Sequence, residues 1–392
     1  MKAISFAGVE FKNPFVVASG PLTASVDLLR LAEEHGAAGA SIKLTMAKPP
    51  FPGQLRAFVV PEGGMIHASE RRLSLSEGLD LLRQAKEATS LRLFANITSE
   101  TGSLEEWVHL AVEFAKAGAD LIEANLCCPM IGLDQAQRQL AAEGLRGGAV
   151  TGEDPELVYR IAKAISSEVD IPLVCKLTPT VPRLVEVGQA AAEGGARGLA
   201  VFGGPSLALP PVDLESGKPL YPLLEGACYG FLAGPVIKYA SFKRVAELKS
   251  AVDLPLIGSG GISNWRDAAE MMMWGADLVS ACASIMLKGF QVIQEIVDGL
   301  ESYIQCRGLN GYEALVGTAL EYLRPSHQVE VVPGYAGVDE ELCVGCGQCE
   351  KIGHCSAITL IDGVAHVVKE KCIGCGICES VCPKGAIHLK RL

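Results

Sequence analysis

Between residue 15 and about residue 304 the 392-residue chain repeats one pattern. A short β-branched or apolar run ends on a polar residue or glycine, and a longer stretch of helical periodicity follows. The runs lie at 16–19, 39–44, 91–96, 121–125, 173–177, 198–202, 256–258 and 278–281. Helical stretches such as 104–117 and 155–165 separate them, the second opening on Asp154-Pro155, a cap followed by a first-turn proline. Eight alternations admit a (β/α)8 barrel or a doubly wound open sheet. The run ends decide between them: Ser19-Gly20, Lys43, Asn96, Asn125, Lys176, Gly203-Gly204 and Gly258–Gly261. A barrel gathers such ends on one face, where an active site belongs, whereas an open sheet scatters them along an edge. The expectation is a (β/α)8 barrel with two loops too long for plain connections, at 127–152 and 203–239.

The last fifty residues hold eight of the fourteen cysteines. Cys372-x2-Cys375-x2-Cys378-x3-Cys382-Pro383 is the run of bacterial-type ferredoxins, in which three cysteines grip one cubane and the fourth ligates the other. The second run that this requires is Cys343, Cys346 and Cys349, with Cys355 after five residues instead of three. Two [4Fe–4S] clusters are therefore expected, one on Cys343, Cys346, Cys349 and Cys382, the other on Cys372, Cys375, Cys378 and Cys355. A pair of zinc knuckles is the competing reading, but zinc needs no third cysteine two residues on, twice over. Tandem clusters carry single electrons. The domain reading is thus a barrel at 1–324, a Pro-, Gly- and Val-rich linker at 325–337 and a small α+β two-cluster ferredoxin domain at 338–392.

A net charge of −11 argues against a nucleic-acid partner, which needs a basic face. No apolar run approaches the roughly 18 residues of a membrane span, and the first residues lack the pattern of a signal peptide. Clustered CxxC cysteines without such a leader point to a reducing, cytoplasmic setting.

An electron carrier needs a terminus, yet no GxGxxG follows a strand. Gly258-Ser259-Gly260-Gly261 after the seventh run suits the barrel phosphate site, with Ala281–Ser284 completing it. Lys43 and Lys176, aimed at the same mouth, suit an anionic cofactor or substrate.

These stretches, together with Asn13–Pro21, Ile122–Pro129 (IEANLCCP), Val174–Pro179 and Gly152–Val158, resemble the successive signatures of dihydroorotate dehydrogenases. The resemblance to dihydropyrimidine dehydrogenase is closer still, since there an FMN barrel precedes a two-cluster segment. It covers nearly the whole chain. It implies FMN, with Ser19 and Gly20 along it, Lys43 bonded to its ring, Asn96 and Asn125 facing flavin and substrate, and Lys176 stabilising its reduced form. Gly260, Gly261 and Ser284 would line the phosphate. The cysteine of the family's Asn-x-x-Cys-Pro motif falls on Cys128, as general acid/base. Reducing a conjugated C=C bond requires a proton beside the carbon that takes hydride, and an ordinary thiol, with pKa about 8.5, holds one near neutrality. Cys127 reads as packing, turned away by strand alternation.

The chain departs from the family in two places. The Asn-Thr pair that reads a pyrimidine after strand six is replaced by Ala200–Ser206, without an amide, and Met130-Ile131-Gly132 stands where the relatives carry His and Gly, ahead of a helix-like 135–146. A site built on amides discriminates through them, so a substrate other than a plain pyrimidine is expected, an activated cyclic C=C compound. His67, in the loop after strand two, is a candidate substrate contact. With no NAD site of its own, the chain needs an electron partner, either an FAD/NAD(P)H subunit or a ferredoxin, and family analogy suggests an oligomer. The alternatives are an electron-transfer subunit with no organic substrate and a redox sensor.

Overall fold

A computed structural model of the chain describes all residues except 1, 48, 50–52, 62, 69, 100–102, 129–147, 204–206 and 224–228, and leaves out the side chain of residue 150. Two compact units emerge, Met1–Tyr322 and Leu323–Leu392. Among the described residues no helix is long and apolar enough to cross a membrane.

The first unit is a closed barrel of eight parallel strands: β1 (Phe15–Val17), β2 (Gly39–Ser41), β3 (Arg92–Ile97), β4 (Leu121–Leu126), β5 (Leu173–Leu177), β6 (Gly198–Phe202), β7 (Leu256–Ser259) and β8 (Leu278–Ala281). Each expected run forms one of these strands. The bond between β3 and β4, together with that between β8 and β1, closes the ring that an open sheet would leave broken. Helices fill the intervals and bury one stripe each. Helix Leu104–Lys116 turns Trp107, Leu110, Ala111 and Phe114 inward, the 3- and 4-residue spacing of a single face. Helix Pro155–Ser166 starts where Asp154 Oδ1 accepts the amides of Glu156 and Leu157, at 3.0 and 3.4 Å.

The N-terminal end of the barrel is plugged. An antiparallel hairpin, Ile4–Phe6 with Val9–Phe11, brings Phe6 and Phe11 against Phe94, with ring centroids 5.9 to 6.4 Å apart. At Gly39 and Gly198, the first residues of β2 and β6, an added Cβ would lie 2.9 and 2.7 Å from those rings. Space for a site remains at the opposite end.

At that end the loops after β2 and β6 are joined. A hairpin, Ala57–Val60 with Gly64–His67, extends from the β2 loop, and Phe231–Ala233 from the β6 loop adds a third antiparallel strand through Phe231↔His67 and Ala233↔Met65. The β6 loop has the length expected from the sequence. The β2 loop is equally elaborate, and its interrupted apolar runs concealed that. Most of the β4 loop, including the helix-like 135–146 and Met130–Gly132, lies outside the described residues.

In the second unit Gly334–Val338 pairs antiparallel with Ile387–Arg391, and Ile358–Ile361 with Val364–Val367. The stretch 325–337, read as a linker from its composition, therefore ends as a strand. Its last residues are ordered by the C-terminal strand, a pairing partner more than fifty positions away that local composition does not register.

Candidate functional site

β4 is buried at all six residues, including Glu123 and Asn125, which the two-residue period places on one face. The strand stops at Leu126 because the Asn125 side chain then takes over the hydrogen bonding. Its Oδ1 accepts the amides of Cys127 and Cys128, at 3.2 and 2.9 Å, and the Cys127 thiol at 3.2 Å. Strand alternation consequently ends, and both cysteines line the cavity at the barrel mouth. The expectation that Cys127 turns away is thus corrected: the period that puts Glu123 and Asn125 on one face puts Cys127 there too, and it is Cys128 that the end of the strand brings into the wall. Burial pushes the Cys127 thiol up to about 12, so it stays protonated.

Behind Asn125 a polar chain crosses the barrel interior. Asn125 Nδ2 donates to Asn96 Oδ1 at 3.0 Å; Asn96 Nδ2 donates to Glu123 Oε2 at 2.9 Å and to Ser41 Oγ at 3.2 Å, and Ser41 in turn donates to Glu123. The other Glu123 oxygen faces Lys176 Nζ at 3.5 Å. Burial alone would lower the Lys176 ammonium, but Glu123 and the neighbouring cysteines outweigh it and hold it above its ordinary value. Lys176 and Asn125 line the cavity; Asn96, fully buried, stands one layer behind and reaches it through Asn125.

The β2 loop contributes the opposite wall. Lys43 pairs with Glu70 at 2.6 Å, both nearly buried. Burial nevertheless pushes Lys43 below its ordinary value, Glu70 pulling against it and Arg72 adding to the fall. Arg72, 6% exposed, donates to Cys128 Sγ at 3.0 Å and to the Glu70 carbonyl at 2.6 Å. His67 stacks on Phe231, centroids 5.4 Å apart, and its Nδ1 lies 3.2 Å from the Ala68 carbonyl.

The third side is the turn after β7. Gly260 and Gly261 have φ of +88° and +90°, and a Cβ on Gly261 would lie 2.5 Å from Lys238 Cα, so only glycine fits. Ser284 lies across from it, its hydroxyl donating to the Ile262 carbonyl. Ser19 and Gly20 complete this wall; a Cβ on Gly20 would meet Cys282 Sγ at 2.6 Å. Together these surfaces enclose about 1090 Å³ of space, part of it open to solvent. With two lysines, an amide and a glycine turn at the strand 7–8 end, the donor set fits an anionic, phosphate-bearing flavin. Of the sequence-named residues, Ser19, Gly20, Lys43, His67, Asn125, Cys128, Lys176, Gly260, Gly261 and Ser284 meet here.

In the second unit, Cys343, Cys346, Cys349 and Cys382 line one cavity, and Cys355, Cys372, Cys375 and Cys378 another, of about 350 and 500 Å³. The crossed sharing is the one that the C-x2-C-x2-C-x3-C logic demands. Among the described residues no three His, Cys, Asp or Glu side chains are close enough to share a single metal ion. Quartets spread around a void fit a cubane better than zinc. His354, brought in by the longer spacing before Cys355, sits 3.5 Å from Cys375 Sγ.

Residues 1–304 match the family described as dihydroorotate dehydrogenase. The chain belongs to the dihydroorotate dehydrogenase family. Residues 336–389 match a 4Fe-4S dicluster domain. The catalytic subunit of dihydroorotate dehydrogenase B (NAD(+)) from Pyrococcus furiosus is 30% identical over 316 residues, 81% of this chain and 98% of that protein. Its counterpart from Methanosarcina acetivorans is 31% identical over 320 residues, 81% of this chain and 96% of that protein. The NAD-dependent dihydropyrimidine dehydrogenase subunit PreA of Escherichia coli is 28% identical over 362 residues, 88% of this chain and 84% of that protein. As a member of the dihydroorotate dehydrogenase family the chain is a flavoprotein oxidoreductase acting on CH–CH groups, with an added 4Fe–4S dicluster domain.

Against that family background, three polar residues of the cavity region escaped the sequence reading: Glu123, Glu70 and Arg72. Glu123 left a signal, a carboxylate two positions before Asn125 in an apolar strand. Glu70 and Arg72 left none, since they lie in a loop with no motif.

Proposed function

We propose that this chain is the FMN- and iron–sulfur-containing subunit of an oxidoreductase that reduces an activated C=C bond in a cyclic substrate, in the manner of dihydropyrimidine dehydrogenase. The observation that carries the reading is Cys128, at the cavity wall with its amide on Asn125 and its sulfur on Arg72, between the two lysine-bearing sides. FMN, when bound, supplies hydride exchange. Lys43, Lys176, Ser19, Gly20 and the Gly260-Gly261 turn, with Ser284, hold it. Asn125, positioned by Asn96, and His67 contact the substrate, and Cys128 delivers a proton to the substrate carbon. Two [4Fe–4S] clusters on the eight tail cysteines bring electrons from a partner protein, an FAD/NAD(P)H subunit or a ferredoxin.

The PreA match, over 88% of the chain, supports this reading, and the archaeal dihydroorotate dehydrogenase B subunits, at 30–31% identity over 81%, are equally close. No amide side chain stands at the described end of β6, which counts against a plain pyrimidine. The test is anaerobic reduction with a low-potential donor, then a screen of cyclic unsaturated compounds for flavin reoxidation. Cys128→Ala should keep flavin and iron yet lose turnover on any compound that reoxidises the parent. Undiminished turnover in that variant would remove the acid assignment, and a screen with no active compound would favour an electron-transfer subunit.

A further inference from the structure

Five charged side chains gather at the barrel mouth and just beneath it, and four are paired. Glu70 holds Lys43, and Glu123 holds Lys176. Arg72 is the fifth. Among the described residues no carboxylate oxygen comes within ion-pair distance of it, although it is 6% exposed and lines the cavity. Glu70 acts on Arg72 through its charge but is in contact with Lys43 instead; a buried cation with no counter-ion in contact is costly, and a guanidinium, unlike a lysine, does not escape by losing its proton. One face of Arg72 is tied to the Glu70 carbonyl, and the other points at Cys128 Sγ, 3.0 Å away.

We propose that Arg72 is the counter-charge for the thiolate that Cys128 becomes once it has given its proton to the substrate. The step breaks the S–H bond and forms a C–H bond on the substrate carbon, while the S–H electron pair stays on sulfur as a negative charge. That charge appears in a buried site, where a preplaced donor is worth most because nothing need reorganise. The Asn125 amide turn holds the sulfur, and Arg72 receives the charge. Solvent protons restore the thiol before the next turnover. The inference rests on the proposed role of Cys128, yet the pairing of Arg72 with that sulfur is testable without any substrate.

The first measurement is alkylation of Cys128 by iodoacetamide in the flavin-loaded, full-length protein at one fixed neutral pH. Tandem mass spectrometry, with fragmentation between the two adjacent cysteines, separates Cys128 from Cys127, and Cys282 lies on another peptide. A thiolate is the form that alkylates, so Arg72→Leu and Arg72→Gln should slow modification by roughly tenfold or more, as expected for a lost charge-assisted bond. Arg72→Lys should recover much of the rate, and Arg72→Gln, which keeps N–H donors without charge, separates charge from shape. The second measurement, on a substrate from the screen, should show kcat reduced in Arg72→Gln with KM little changed. Equal alkylation rates in all four proteins would overturn the proposal. So would a raised KM with unchanged kcat, which would make Arg72 a reader of the substrate. If alkylation follows charge while Cys128→Ala still turns over, the pairing stands and the acid reading of Cys128 falls.

Discussion

Asn125 does two jobs with one amide: its oxygen ends β4 and gathers the amides of Cys127 and Cys128, and its nitrogen joins the barrel network through Asn96. Glu123 anchors that network. Replacing Glu123 by alanine leaves Lys176 buried and unpaired, and removing one partner of a buried pair costs about 3–5 kcal/mol. The denaturation midpoint should fall accordingly, and a variant as stable as the parent would mean that water takes over the carboxylate's role. His67 sets a pH dependence. Burial holds its imidazole below the ordinary value, Glu70 opposing and Lys43 and Arg72 reinforcing the fall. The unfolded chain binds a proton on this residue that the folded chain refuses. Its contribution to stability is thus complete above the unfolded value of about 6.5 and is lost as pH falls toward the lowered folded value. His67→Asn should flatten part of the acid-side decline in Tm, and parallel curves for the two proteins would contradict this.

Among elements, the strand ends and their loops make the site. The three-stranded sheet at the mouth ties the β2 loop to the β6 loop, so His67, Glu70 and Arg72 are placed by backbone pairing with Phe231–Ala233 as much as by their own segment. The turn after β7 is equally determined. Gly261→Ala would put a Cβ 2.5 Å from Lys238 Cα at a φ of +90°, which strains the turn and opens that wall of the cavity. Such a variant should lose flavin on gel filtration while its far-UV circular dichroism stays that of a barrel. Full flavin retention would show that this turn is not part of the cofactor site.

For the whole molecule, the two units differ in what holds them together. The barrel buries a continuous apolar core running from Ile4 to Leu315. The second unit, 323–392, buries Ala336, Cys349, Ala357, Ile358, Ala365, Cys378, Ala386 and Ile387, and two of those eight are proposed cluster ligands. So small a core leans on its metal, as small metallo-domains do. Oxidative removal of iron with a chelator should therefore make the last seventy residues protease-sensitive and leave a barrel-sized fragment that still holds flavin. A tail that resists digestion after iron loss would mean that its two short sheets suffice.

The sequence by itself determined the eight strands and their closure, the eight tail cysteines and their crossed grouping, and most of the cavity wall. Each is written locally, in alternating periods, strand-end residues or ligand spacing, and the barrel then brings strand ends together regardless of detail. Asn125, Cys128, Lys43, Lys176 and Gly260-Gly261 were legible for that reason. Only the tertiary structure decided what these residues pair with. Glu70 on Lys43, Arg72 on Cys128 and Glu123 on Lys176 depend on loop closure and strand register, over separations of 27, 56 and 53 positions that no local pattern records. Cys128 faces the cavity for the same kind of reason, because the hydrogen bonds of the Asn125 amide ended the strand where continued alternation would have turned Cys128 away.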